Sequence, residues 1–118
     1  MTQREMAKIL ADALESKKCR DLRVLEVTEL TTLADYFLIC TATSNTHAKT
    51  LGDECEMLMK AQGIFPHHIE ADHNQQWILL DFGCVVVHVF MEEQRKFYGL
   101  ERIWADAKPW KDSALANG

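Results

Sequence analysis

The chain has 118 residues, 47% of them hydrophobic and 26% charged, a composition that excludes disorder, fibre and a second hydrophobic core. Thirteen lysines and arginines against eighteen acids give a net charge of -5, so unaided binding to nucleic acid phosphates is uphill over much of the surface and a basic protein is the better-matched partner. No run reaches the ~18 apolar residues of a membrane span, and Cys19, Cys40, Cys55 and Cys84 form no Cys-x-x-Cys pair, so reduced, mostly buried thiols are expected rather than zinc or a redox centre.

Thr2 followed three residues later by Glu5 has the form of a capping box, and Met6, Ile9, Leu10, Ala13 and Leu14 repeat at the spacing of one helical face. A first helix therefore runs to about Lys17. Met1 to Glu5 leads into it without the apolar core of a secretory signal, which predicts a cytoplasmic protein. Leu22 to Val27 is rich in aliphatic and β-branched residues, and Tyr36 to Ala42 (YFLICTA) is almost continuously apolar, as expected of a strand covered on both faces. Ser44 or Asn45 caps a second helix with Ala48, Leu51, Cys55, Leu58 and Met59 on one stripe, stopped by Gly63 and Pro66. His67 to Ala71 reads as a short strand, while Trp77 to Phe82 (WILLDF) and Cys84 to Met91 (CVVVHVFM) make an antiparallel hairpin turned at Gly83. From Glu92 a third helical pattern sets Phe97, Leu100 and Trp104 on one face and Tyr98, Glu101 and Arg102 elsewhere, with Pro109 as its end. This order predicts one α/β domain over residues 1–108, a mixed five-stranded sheet with flanking helices, and a tail over 109–118.

The catalytic motifs are incomplete. Asp81-Phe82-Gly83 spells the magnesium triplet of protein kinases, but the glycine-rich loop, strand lysine and catalytic-loop Asp are missing, and a hairpin turn accounts for it. His67, His68, Asp72 and His73 are the densest group of metal-ligand types, yet adjacent residues of an extended segment point to opposite faces, so a solvated loop is the simpler reading. His88 sits in the most apolar strand with no neighbouring Ser or Cys nucleophile, the setting of a neutral, hydrogen-bonded core histidine. Ser44 has neither the Gly-x-Ser-x-Gly nor the Walker pattern around it and is read as a cap. Asp35 and Asp72 stand alone, so two-metal phosphoryl transfer lacks its paired carboxylates.

What remains is the stretch from Trp77 to Trp110. Trp77, Tyr98, Trp104 and Trp110 lie among Glu92, Glu93, Glu101, Asp106 and Asp112, and aromatic anchors with an acidic rim suit docking on a basic protein. Any single tryptophan serves equally well as a core residue.

Four linked motifs carry a resemblance. They are Asp35-Tyr36-Phe37-Leu38-Ile39-Cys40-Thr41 with Ser44 and His47; Trp77-Ile78-Leu79-Leu80-Asp81; Val85-Val86-Val87-His88-Val89-Phe90; and Arg95 with Tyr98, Leu100-Glu101 and Trp104. In that order, and over the chain from the first helix to Asp106, they resemble the Iojap-like ribosomal silencing factors. The departures are Glu70-Ala71 and Gly83-Cys84, where the family often has Glu-Gly and Gly-Asp. The resemblance implies a nucleotidyltransferase-like fold without catalytic residues, no enzyme activity, and no cofactor or metal. It implies a bacterial cytoplasmic protein that binds the large ribosomal subunit through the basic L-fourteen ribosomal protein, blocks small-subunit joining and represses translation when nutrients are short. It also implies a homodimer when free, and a partner-binding set of Trp77 and Tyr98 with Glu101, Trp104 and Asp72. The alternative is a divergent nucleotidyltransferase or hydrolase using Asp35, Asp72 or His88.

Overall fold

The two helix starts that the sequence marks are capped as its residue types dictate. In the computed structural model, which describes residues 2–32, 34–71, 76–99 and 108–109, the Thr2 hydroxyl accepts from the Glu5 amide at 3.1 Å and opens α1, Gln3–Ser16. The Ser44 hydroxyl accepts from the His47 amide at 3.0 Å and opens α2, Asn45–Ala61. His47 does a second job. Its Nδ1 accepts from the Thr43 amide at 2.9 Å while its Nε2 donates to the Lys17 carbonyl at 2.7 Å, so one imidazole ties the end of α1 to the start of α2.

The strands are β1 (Arg20–Glu26), β2 (Tyr36–Ala42), β3 (His68–Ala71), β4 (Trp77–Asp81) and β5 (Val85–Met91). They form one mixed sheet in the order β3-β4-β5-β2-β1, with β2 and β5 parallel and every other pair antiparallel. This is the expected five-stranded α/β architecture, and the continuous apolar run of β2 is buried at all seven positions. A two-residue sixth strand, β6 (Lys108–Pro109), pairs with Glu26 and Leu25 at the β1 edge.

Alternation splits the apolar residues between two faces, so in place of the single core expected from chain length the sheet divides the buried residues into two clusters. One face presents Leu38, Cys40, Ile78, Leu80, Val85, Val87 and Val89 to the buried sides of α1 and α2, from which Leu10, Leu14, Leu51, Cys55 and Met59 descend. The other face gathers Leu25, Val27, Ala34, Phe37, Ile39 and Phe90, with Trp77 and Val86 packed against them. All four cysteines are free thiols; Cys40 and Cys55 are buried, and Cys19 and Cys84 are only partly so. Burial pushes the Cys55 thiol up to about 12.

The last helix departs from expectation. Its periodicity predicts one unbroken helix to Pro109; α3 is Glu92–Tyr98, closed by Gly99 in the left-handed conformation at φ 56° with its amide bonded to the Arg95 carbonyl, and the remainder of the predicted helix, 100–107, lies outside the described residues. Left-handed backbone costs glycine almost nothing, and that closes α3 at Tyr98. Pro109 is instead part of β6. The hairpin turn is as expected: Gly83 has φ 91°, and its amide donates to the Asp81 carboxylate at 2.7 Å. The Asp-Phe-Gly triplet is thus used in turn geometry.

Candidate functional site

Register builds an aromatic ladder on the second face. Trp77 lies directly across from Phe90 in the β4–β5 pairing, and His88 lies two residues before Phe90 on the same face. The Trp77 ring consequently stacks on Phe90 and His88, with centroids 5.9 and 6.3 Å apart and planes within 6°. His88 and Phe90 stack at 6.0 Å, and Phe37 meets His88 edge-on at 5.5 Å.

The short helix extends this ladder outward. Because α3 begins directly after β5, Tyr98 falls against Trp77 at 5.1 Å and Phe90 at 6.0 Å, and Phe97 meets Tyr98 edge-on at 5.3 Å. Phe97 is 82% exposed and Tyr98 46%. Buried Phe37 at one end and exposed Phe97 at the other make a graded surface: packed at its root, accessible at its tip. Two polar contacts fix the helix in place. The Gln94 amide donates to the Gln76 side-chain oxygen at 2.7 Å, and the Arg95 guanidinium donates to the Thr41 hydroxyl at 2.9 Å.

His88 is a member of this stack. It is 6% exposed, burial alone pushes its pKa down to about 4, and its Nδ1 accepts from the Trp77 indole N–H at 3.4 Å. A neutral ring whose lone pair is engaged suits packing and not proton abstraction. Asp35, the other described candidate for catalysis, precedes β2 at its amino end, where its backbone N–H and that of Tyr36 both donate to the Cys84 carbonyl. His68 pairs with Glu70 at 3.0 Å, and the His67 ring packs 3.0 Å from where a Cβ on Gly83 would stand. No group of three metal-ligand side chains forms among the described residues.

Of the residues expected to bind a partner, the structure brings Trp77 and Tyr98 together. Asp72, Glu101 and Trp104 lie outside the described residues, as do Trp110 and His73. Sequence reasoning missed two members. Phe97 reads as part of a packing face yet stands exposed, and His88, a buried and hydrogen-bonded core histidine as expected, also joins the aromatic stack. The helix stop at Gly99 was the available signal for the first; the second depends on strand register, which has no local signature. The acidic rim is also more mixed than composition suggests, since α3 carries Arg95 and Lys96 beside Glu92 and Glu93 and pairs Lys96 with Glu92 at 3.5 Å.

Among the described residues, then, the fold and this face define a two-faced α/β sheet whose aromatic ladder runs from a buried root to an exposed tip at one end. Comparison with known proteins gives that class a family. The family model described as ribosomal silencing factor during starvation matches residues 1–117. The ribosomal silencing factor RsfS of Bacillus subtilis is 36% identical over 107 residues, covering 91% of each chain. A crystal structure of a Chromobacterium violaceum protein superposes with a TM-score of 0.86 at 31% identity, covering 95% of this chain and 93% of that one. A mouse protein named for mitochondrial assembly of the ribosomal large subunit is 28% identical over 99 residues, which span 81% of this chain and 43% of the mouse protein. The chain belongs to the ribosomal silencing factor family.

Proposed function

We propose that this protein binds the large ribosomal subunit at its basic L-fourteen protein and prevents the small subunit from joining, so that translation falls when nutrients are scarce. The single observation that carries the docking surface is the aromatic ladder, rooted at Phe37 and His88 and ending in exposed Tyr98 and Phe97. Aromatic anchors supply large contact area with few rotatable bonds, and a pre-ordered stack loses little entropy on docking. Membership of a family named for ribosomal silencing supplies the partner class, and the mouse relative's name specifies the large subunit.

In this reading Trp77 and Tyr98 are the principal contacts to the ribosomal protein, with Trp77 also holding Tyr98 in place, and Glu101, Trp104 and Asp72 contribute less. The mechanism is steric exclusion: an occupied bridge site needs affinity and position and no chemistry. The free protein is a homodimer, and its net charge of -5 favours encounter with a basic surface.

Capture of washed large subunits on immobilised protein at low and high salt tests the partner. Retention that weakens as salt rises is expected, because charge-steered docking is screened; failure to retain large subunits at either salt would contradict the proposal.

A further inference from the structure

The polar cleft beneath α3 is not part of the aromatic docking face, and its position in the sheet gives it a separate meaning. The neighbouring parallel strands β2 and β5 end side by side at Ala42 and Met91. From these ends the chain departs to opposite faces. After β2 it enters α2, which packs with α1 on one face; after β5 it enters α3, whose Tyr98 lies against Trp77 and Phe90 on the other. A crevice opens where such continuations diverge, and that switch point is where open α/β sheets hold their ligands.

Here the crevice is a cavity of about 500 Å³ lined by Asp21, Arg23, Thr41, Glu92, Arg95 and Lys96, within the range of small-molecule sites. A smaller hollow of about 300 Å³ continues it past Thr41 and Glu92 to Arg20 and Thr43. Four cations thus face two acids, a local excess of positive charge on a chain whose net charge is -5. Two features of the fold create that excess. A bulge between Arg20 and Arg23, with Asp21 in the left-handed region at φ 50°, turns the start of β1 so that both arginines line the space. From the other side, Arg95 is held by the hydroxyl of Thr41, itself only 5% exposed. A guanidinium oriented in advance is suited to bidentate contact with phosphate.

We propose that this cleft binds a nucleoside di- or triphosphate, with Arg23, Arg95 and Lys96 on the phosphates and the Asp21 and Glu92 carboxylates accepting from sugar hydroxyls. The Glu92–Lys96 pair is exposed on both sides, so Lys96 exchanges that contact for phosphate at little cost. The two acids also select against a longer phosphodiester chain, whose charges would run over their carboxylates.

Calorimetric titration of the full chain with ATP, GTP and inorganic pyrophosphate tests the site without reference to ribosomes, so its outcome is separable from that of the docking proposal. Saturable binding of a nucleoside triphosphate is expected, weakened at least about tenfold by Arg23→Gln and by Lys96→Gln, since each removes a charge-assisted contact. Both side chains are exposed, so the fold persists in these variants, as an unchanged circular dichroism spectrum would report. Three results would overturn the proposal: no heat from any of the three probes up to about 1 mM, equal affinity in parent and variants, or tighter binding of a short single-stranded RNA than of any small probe.

Discussion

At the scale of single residues, the aromatic ladder separates packing from docking, because its members differ in exposure while sharing one stack. Trp77 touches His88, Phe90 and Tyr98, so Trp77→Ala removes packing and contact together and is expected to cost roughly 3 kcal/mol of folding stability. Phe97 is 82% exposed, and Phe97→Ala should leave the melting temperature nearly unchanged. If the ladder tip docks, Tyr98→Ala weakens large-subunit binding by about 2 kcal/mol, measured as a dissociation constant. If Tyr98→Ala binds as the parent does, the ladder is only packing.

His88 makes a second residue-scale prediction through pH. Its folded pKa of about 4 lies below the ordinary 6.5 because burial disfavours the charged ring. Between those values the unfolded chain binds more protons than the folded one, so the His88 contribution to stability is complete above pH 6.5, falls as pH drops to about 4 and is constant below. The loss amounts to about 3 kcal/mol at most. His88→Phe retains a ring in the stack and removes the titration. Denaturant unfolding at pH 7 and pH 5 should show a smaller loss in the variant than in the parent; an equal loss would contradict the buried, neutral assignment.

At the scale of elements, the turns carry the sharpest expectations. Gly83 joins β4 to β5 at φ 91°, and a Cβ there would meet the His67 ring at 3.0 Å. Gly83→Ala therefore combines backbone strain with a close contact and should lower stability by about 1–3 kcal/mol in chemical denaturation; an unchanged midpoint would show that the turn relaxes freely. Local signals made much of this level legible in the sequence. Thr2 and Ser44 announce their caps, the apolar run from Tyr36 to Ala42 announces a central strand, and Gly83 announces its hairpin. The third helix starts at Glu92 as its pattern indicates, but the break at Gly99 was hidden by the helical spacing of Phe97, Leu100 and Trp104 in the sequence, which says nothing of the left-handed backbone that closes α3. The contact between Arg95 and Thr41 was invisible for a different reason: the two residues are 54 apart in sequence and meet only through the parallel pairing of β2 with β5. Composition and spacing marked Trp77 and Tyr98 only as members of the stretch to Trp110, and the family resemblance singled them out, since composition does not distinguish a core tryptophan from an anchor.

At the scale of the whole molecule, two surfaces occupy one end of the sheet and share α3. The aromatic ladder uses Tyr98 and Phe97, while the charged cleft beneath the same helix uses Arg95 and Lys96. No described helix is long and apolar enough to cross a membrane. Steric exclusion asks only that the molecule occupy the place where the subunits meet. Density-gradient analysis of separated ribosomal subunits, mixed with and without saturating protein, tests that claim most directly. The account predicts that joined ribosomes fall and free subunits accumulate, with the protein sedimenting in the large-subunit fraction. An unchanged gradient at saturating protein would contradict it.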